Sequence, residues 1–253
     1  MVAAPAGVAG RTVLPGAVGG SNAGMTTVSL SFPIPAGRFD AAIVDLDGTM
    51  VDTLGDFEQA LGAMLVELGA APLPRATVML LIGKGSEHLV QSALPLAGLA
   101  QQDPAAALAI YFRHYETVNG RHSTVFPGVP EGLAALRASG LRLACLTNKP
   151  LAFAVGLLKA NGLDGYFDHV FGGDSFARKK PDPLPMLETC RALGCEPSRT
   201  LAVGDSGNDA AAASAAGCTV ALVSYGYNHG EPIRSVPADF YLDSLAELAP
   251  RLG

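Results

Sequence analysis

Four short runs concentrate the side chains that could do chemistry. Asp45 and Asp47 stand two apart in Asp45-Leu46-Asp47-Gly48-Thr49. Thr147, Asn148 and Lys149 are consecutive, as are Lys179, Lys180 and Pro181. Asp205 and Asp209 bracket Ser206-Gly207-Asn208. Carboxylates gathered in one cleft repel one another unless a cation or a proton intervenes. Hard oxygen ligands with few histidines or cysteines suit Mg²⁺, which takes one or two carboxylates and leaves places for water and a phosphate oxygen. Lys180 would add a second positive charge and Thr147 a hydroxyl donor, which together suit a transferring phosphoryl group. A carboxylate attacking phosphorus would form an aspartyl-phosphate that water then resolves. The histidines, His88, His114, His122, His169 and His229, have no zinc-ligand spacing, and no Gly-x-Gly-x-x-Gly follows the first strand.

These runs need elements to bring them together. Apolar runs rich in β-branched residues at 41–45, 141–147, 169–172, 200–204 and 219–224 read as buried strands. Helical patterns at 131–139, 151–161 and 184–193 lie between them, closed by Gly140, Gly162 and Gly194. Strand and helix in regular alternation predict an α/β fold with a doubly wound parallel sheet. Each chemical run then falls at, or just beyond, the carboxyl end of a strand, where such sheets bind ligands. One stretch breaks the rhythm. From about 57 to 115 the pattern is helical, with amphipathic segments at 57–68 and 104–118. About 95 residues separate the first two strands, against about a dozen for a minimal crossover. This predicts a small helical cap at 53–122, inserted in a core of 37–52 and 123–253. Residues 1–36, rich in Ala, Gly, Pro and Val, read as a loose N-terminal extension.

Composition narrows the function classes. With 49 % hydrophobic residues a globular core is available, and a net charge of −6 argues against a nucleic-acid partner. The charge does not exclude a small anionic substrate, because a local cation site overrides it. Four cysteines without a Cys-x-x-Cys pair predict reduced thiols and a cytoplasmic location. No apolar run reaches the ~18 residues of a membrane span, so no membrane partner is expected. Nothing in the sequence reports the oligomeric state.

Asp-x-Asp-Gly-Thr, Thr-Asn, Lys-Lys-Pro-Asp-Pro and Gly-Asp-Ser-Gly-Asn-Asp, in that order, resemble the haloacid dehalogenase-like superfamily. Within it the chain is similar to the phosphoglycolate phosphatases, through Thr147-Asn148-Lys149-Pro150, the run from Val203 to Asp209, and the segment from Ser224 to Glu231. The resemblance implies a Rossmann-like core and a Mg²⁺-dependent phosphatase whose substrate is a small phosphorylated carboxylate, 2-phosphoglycolate. It implies Asp45 as nucleophile and metal ligand, and Asp47 as general acid and base with its backbone carbonyl on the metal. Thr147 and the Asn148 backbone would hold the phosphoryl group, and Lys180 would neutralise it and position Asp45. Asp205 would bind the metal directly, and Asp209 would be its partner through water or from behind a direct ligand. The cap would close over the substrate, and at its turn 82–85 Lys84 or the neighbouring amides would meet the substrate carboxylate. Lys149 and Lys179 read as solvent-facing, and Tyr225 and Tyr227 as strand-end packing. Asp47 argues against dehalogenases and phosphonate-cleaving relatives. A phosphatase for another small phosphomonoester or pyrophosphate, a sugar phosphomutase, and a phosphorylatable receiver-like module stay open.

Overall fold

The computed structural model describes Met1 and residues 37–251, so the extension read at 1–36 lies, Met1 apart, outside the described residues. The main sheet has six strands: β1 (Ala41–Val44), β4 (Arg142–Leu146), β5 (His169–Phe171), β6 (Thr200–Gly204), β7 (Thr219–Val223) and β8 (Phe240–Leu242). Their order is β5-β4-β1-β6-β7-β8 and every pairing is parallel. Every residue of β1, β6 and β7 is buried. The alternation of side chains explains why both faces are apolar. Ala42 and Val44 share one core with α5 (Val129–Ala138) and α6 (Leu151–Ala160). Ala41 and Ile43 share the other with α7 (Leu184–Leu193) and α8 (Gly207–Ala216). From β1 the chain builds outward to β4 and β5 on one side, then returns to β6, β7 and β8 on the other. That reversal opens a crevice at the carboxyl ends of β4, β1 and β6. β8 was not among the expected strands, since three residues are too few to display a period.

Between β1 and β4 the chain leaves and re-enters through a two-stranded antiparallel ribbon, β2 (Val51–Asp52) and β3 (Thr124–Val125), pairing Val51 with Val125 and Asp52 with Thr124. Beyond it lie α1 (Leu54–Glu67), α2 (Arg75–Leu81), α3 (Ser86–Leu96) and α4 (Pro104–Val118), gathered on a hydrophobic cluster of their own that includes Phe57, Leu61, Met64, Leu89, Tyr111 and Tyr115. The sequence pattern revealed α1 and α4 only. α2 has seven residues, and α3 contains Pro95, which reads as a breaker. Asp56, fully buried on α1, accepts from the N–H groups of Gly120 (2.8 Å) and His122 (2.7 Å). It ties the entry of the helical unit to its exit.

Tyr227, in the segment after β7, links this hinge to the sheet. Its hydroxyl accepts from the N–H groups of Thr53 (2.9 Å) and Leu54 (3.1 Å) and donates to the Asp52 carboxylate. Tyr225 donates to the Thr49 carbonyl at 2.9 Å. Both tyrosines therefore serve as hydrogen-bonding struts, beyond the packing expected of them. Tyr227→Phe leaves the buried Thr53 N–H without its acceptor, while Leu54 keeps Asp52, and is expected to destabilise the protein by about 1–3 kcal/mol. An unchanged midpoint in chemical denaturation would show that the strut carries no load.

Candidate active site

β1 ends at Asp45, whose N–H continues the ladder to the Val203 carbonyl at 2.9 Å. Its carboxylate is thereby held at the sheet edge between β4 and β6. Lys180 reaches it from the loop before α7. The Lys180 ammonium donates to Asp45 Oδ1, Asp209 Oδ1 and the Leu146 carbonyl, each at 2.7 Å, so all three of its protons are used. Burial opposes the lysine's charge, but Asp209 and Asp45 outweigh it and push its pKa up. Asp205 ends the run out of β6. It accepts from the Tyr227 N–H at 2.6 Å, and Thr49 Oγ1 lies at 3.5 Å. Asp209, in the first turn of α8, accepts from Ser206 Oγ at 2.6 Å as well as from Lys180.

One carboxylate oxygen from each of Asp45, Asp205 and Asp209 lies within 4.8 Å of the others, and all three residues are buried. Burial pushes the Asp45 pKa up to about 7; Lys180 lowers it and Asp209 raises it. Burial likewise drives Asp205 well above the ordinary carboxylate range, with Asp209 and Asp45 adding to the effect. A single ammonium does not balance three buried carboxylates. The donor set is all oxygen, and the missing charge is that of a divalent cation, so the residues fit one. Asp47 is not part of this cluster of side chains. Its carboxylate turns to Lys149 Nζ at 2.7 Å.

Two glycines make room for these carboxylates. Gly48 has φ +85, and a Cβ there would run into the Asp205 carboxylate and the Tyr227 ring. At Gly204 a Cβ would collide with the Asp209 side chain. Gly48 lets the loop after β1 lie against Asp205 and Tyr227, and Gly204 lets the start of α8 bring Asp209 back against the end of β6.

Thr147 and Asn148 complete the crevice from the end of β4. Asn148 clamps Lys180 through two backbone bonds, accepting from its N–H at 3.0 Å and donating to its carbonyl at 2.9 Å. A cavity beside Asp45 and Asp47 is walled by Thr147, Asn148 and Lys149 from the sheet side and by Phe57, Ser86 and Tyr115 from the helical side.

The comparisons with known proteins accord with this arrangement. Residues 39–217 match the haloacid dehalogenase-like hydrolase family. The chain belongs to the haloacid dehalogenase-like hydrolases. Phosphoglycolate phosphatase of Thiobacillus denitrificans is 44 % identical over 87 % of this chain and 96 % of its own length. The plasmid-borne phosphoglycolate phosphatase of Cupriavidus necator is 47 % identical over 82 % of this chain and 90 % of its own. The crystal structure of a predicted phosphoglycolate phosphatase from Haemophilus somnus superposes with a TM-score of 0.79 at 34 % identity, covering 83 % of this chain and 96 % of that one.

In this haloacid dehalogenase-like hydrolase the helical unit sits directly on the crevice. The Gly83 carbonyl accepts from Asn148 Nδ2 (3.1 Å) and Asn208 Nδ2 (3.3 Å), so one carbonyl of the helical unit spans two of the motif loops. Lys179 pairs with Glu87 of α3 at 2.6 Å, which corrects the reading of Lys179 as merely solvent-facing. Lys149 is the larger correction. It is 5 % exposed, paired with Asp47, and its ammonium lies 4.5 Å from the Phe57 ring centroid and 4.9 Å from that of Tyr115. The rings that bury it come from α1 and α4, far from it along the chain, so the residues around Lys149 give no sign of this packing. Lys84 departs from expectation in the other direction. Its side chain is exposed and does not line the cavity, although Ile82, Gly83 and Gly85 around it do.

Proposed function

We infer that this hydrolase is a Mg²⁺-dependent phosphatase that converts 2-phosphoglycolate to glycolate and phosphate through an aspartyl-phosphate. The carrying observation is the identity of 44 % and 47 % to proteins named phosphoglycolate phosphatase, over nearly their whole lengths. The geometry supports the chemistry. Asp45 would attack phosphorus, its carboxylate held at the end of β1 by Lys180. Lys180 would offset charge on the phosphoryl oxygens, and the Thr147 hydroxyl and Asn148 N–H would donate to them. Asp47 would give its proton to the leaving oxygen and then take one from the water that opens the aspartyl-phosphate. A bound Mg²⁺, held by the Asp45 and Asp205 carboxylates, the Asp47 carbonyl and Asp209, would supply the positive charge that lets an anionic nucleophile approach an anionic phosphate.

The division into a core at 37–52 and 123–253 and a cap at 53–122 forms part of this reading, and the separate hydrophobic cluster of α1–α4 supports it. The cap would exclude water while the aspartyl-phosphate is handled. A cytoplasmic setting accords with four free cysteines. Among the described residues, no helix is long and apolar enough to cross a membrane.

The test is a panel of 2-phosphoglycolate, hexose phosphates, nucleoside monophosphates and pyrophosphate at equal concentration with Mg²⁺. The kcat/KM for 2-phosphoglycolate is expected to rank first. A sugar phosphate or pyrophosphate ranking well above it would end the substrate assignment.

A further inference from the structure

Among the cavity's polar groups that the phosphoryl chemistry above does not use are Lys149, Ser86 and the Tyr115 hydroxyl, partnerless among the described residues, and the first two bear on specificity. A lysine as deeply buried as Lys149 keeps its charge only if it is paired. Asp47 takes one of its three protons, at 2.7 Å, and the faces of Phe57 and Tyr115 flank the ammonium. No other acceptor for the ammonium is found among the described residues. The other group is Ser86, 6 % exposed at the start of α3, whose hydroxyl has no hydrogen-bond partner among the described residues and which lines the same cavity. The apolar part of the lining comes from Phe57, Ile82 and Leu89.

We propose that Lys149, assisted by Ser86, is the subsite for a carboxylate on the leaving-group side of the phosphomonoester, and that Lys84 is not. The proposal rests on the phosphoglycolate reading and assigns its specificity. The argument is one of reach and charge. Asp47 has to touch the bridging oxygen to protonate it. Lys149 is in direct contact with Asp47. In a phosphoglycolate the carboxylate carbon is two covalent bonds from that bridging oxygen. A group that reaches past Asp47 therefore meets Lys149 next. The ammonium has protons to hold Asp47 and the substrate carboxylate together. A neutral alcohol portion would gain nothing from the lysine and would leave Ser86 without a partner. A longer sugar would press hydroxyls against the apolar wall, where unpaired polar groups are costly. Lys84 is exposed and outside the cavity, so its charge is screened by water.

The experiment compares kcat/KM for 2-phosphoglycolate with that for ethyl phosphate, which has the same short chain without the carboxylate, using the full-length enzyme with Mg²⁺. Lys149→Met is expected to lower the ratio of the two about 10- to 100-fold, the range of a hydrogen bond to a charged group. The loss should appear mainly in KM for 2-phosphoglycolate. Ser86→Ala should lower the ratio several-fold in the same direction. If Lys149→Met slows both substrates equally, the lysine acts only through Asp47 and the subsite is wrong. A ratio that collapses in Lys84→Ala and survives in Lys149→Met would also overturn it. The wild-type protein supplies a measurement independent of any variant's folding. Glycolate should inhibit competitively and its neutral isostere glycolamide should not; equal inhibition by the two refutes a carboxylate subsite. The failures are separable. If wild type ranks 2-phosphoglycolate low in the panel, the functional reading falls and the subsite with it. If it ranks first while Lys149→Met keeps the preference, the subsite alone falls.

Discussion

Asp45→Asn is expected to lower turnover of 2-phosphoglycolate by on the order of 10⁴- to 10⁶-fold, the range seen when an enzyme's nucleophile is removed. The amide is nearly isosteric but a poor nucleophile, so the loss should lie in kcat. Stability should move the other way. In the metal-free protein Asp45 is a buried carboxylate crowded by Asp209, and its pKa is pushed up to about 7. Its ionised form therefore opposes folding, and replacing it with an uncharged group should raise Tm at pH 8 in the presence of chelator. An inactive variant with an unchanged or higher Tm separates lost chemistry from lost fold. Wild-type-like turnover in Asp45→Asn would remove Asp45 from the mechanism altogether.

Removal of divalent metal is the second large effect. Chelation is expected to reduce turnover to background, and added Mg²⁺ to restore it. The same titration has a signature in stability. Asp45 takes up its proton with a pKa of about 7 when folded, against 3.8 for an ordinary aspartate. Between those values the folded state holds a proton that the unfolded state has released, so stability falls as pH rises. The contribution is fully present below pH 3.8 and gone above about 7. Asp205 is shifted in the same direction and adds to the trend. Surface carboxylates work in the opposite sense. Asp40 and Glu67, held below the ordinary range chiefly by hydrogen bonds from Arg199 and Arg113, lose stabilisation on acidification. The informative quantity is therefore the Tm of wild type minus that of Asp45→Asn, both with chelator. That difference should become more negative from about pH 4 to about pH 7 and shrink when Mg²⁺ is added. A difference independent of pH and of Mg²⁺ would mean that the acidic cluster neither repels nor binds a cation.

The parallel sheet was readable because β1, β6 and β7 are buried on both faces and so appear as unbroken apolar runs. Asp45, Thr147 and Asp205 were readable for a linked reason. A loop leaving the carboxyl end of a parallel strand has its position set by the sheet, so residue type and strand position suffice to place it. Lys180 is legible as a cation in a run that follows a strand, although its three acceptors come from three separate segments. The helical unit was visible as an interruption. Two of its helices, α2 and α3, were not, being short or carrying an internal proline.

The two lysines show where local reading ends. Lys84 sits in a Gly-flanked turn near the cavity, and its type and place suggest a substrate contact. Lys149 follows a strand and looks like an ordinary solvated loop lysine. The structure exchanges their environments. Lys84 is exposed and Lys149 lies beneath Phe57 and Tyr115. A lysine's chemistry depends on whether its ammonium is desolvated and what it is paired with. Here that is decided by helices that lie far away in sequence. Tyr227 belongs to the same class. Its hydroxyl serves the hinge at Thr53 and Leu54 and its N–H serves Asp205, partners more than 150 and about 20 residues away. The sequence alone determined the fold class, the strand-end carboxylates and the phosphoryl chemistry they suit, because those follow from apolar periodicity and from residue type at a position the sheet defines. The burial of Lys149, the strut at Tyr227 and the seam through Gly83 were decided only in the tertiary structure, because each depends on which distant surface is packed against the residue.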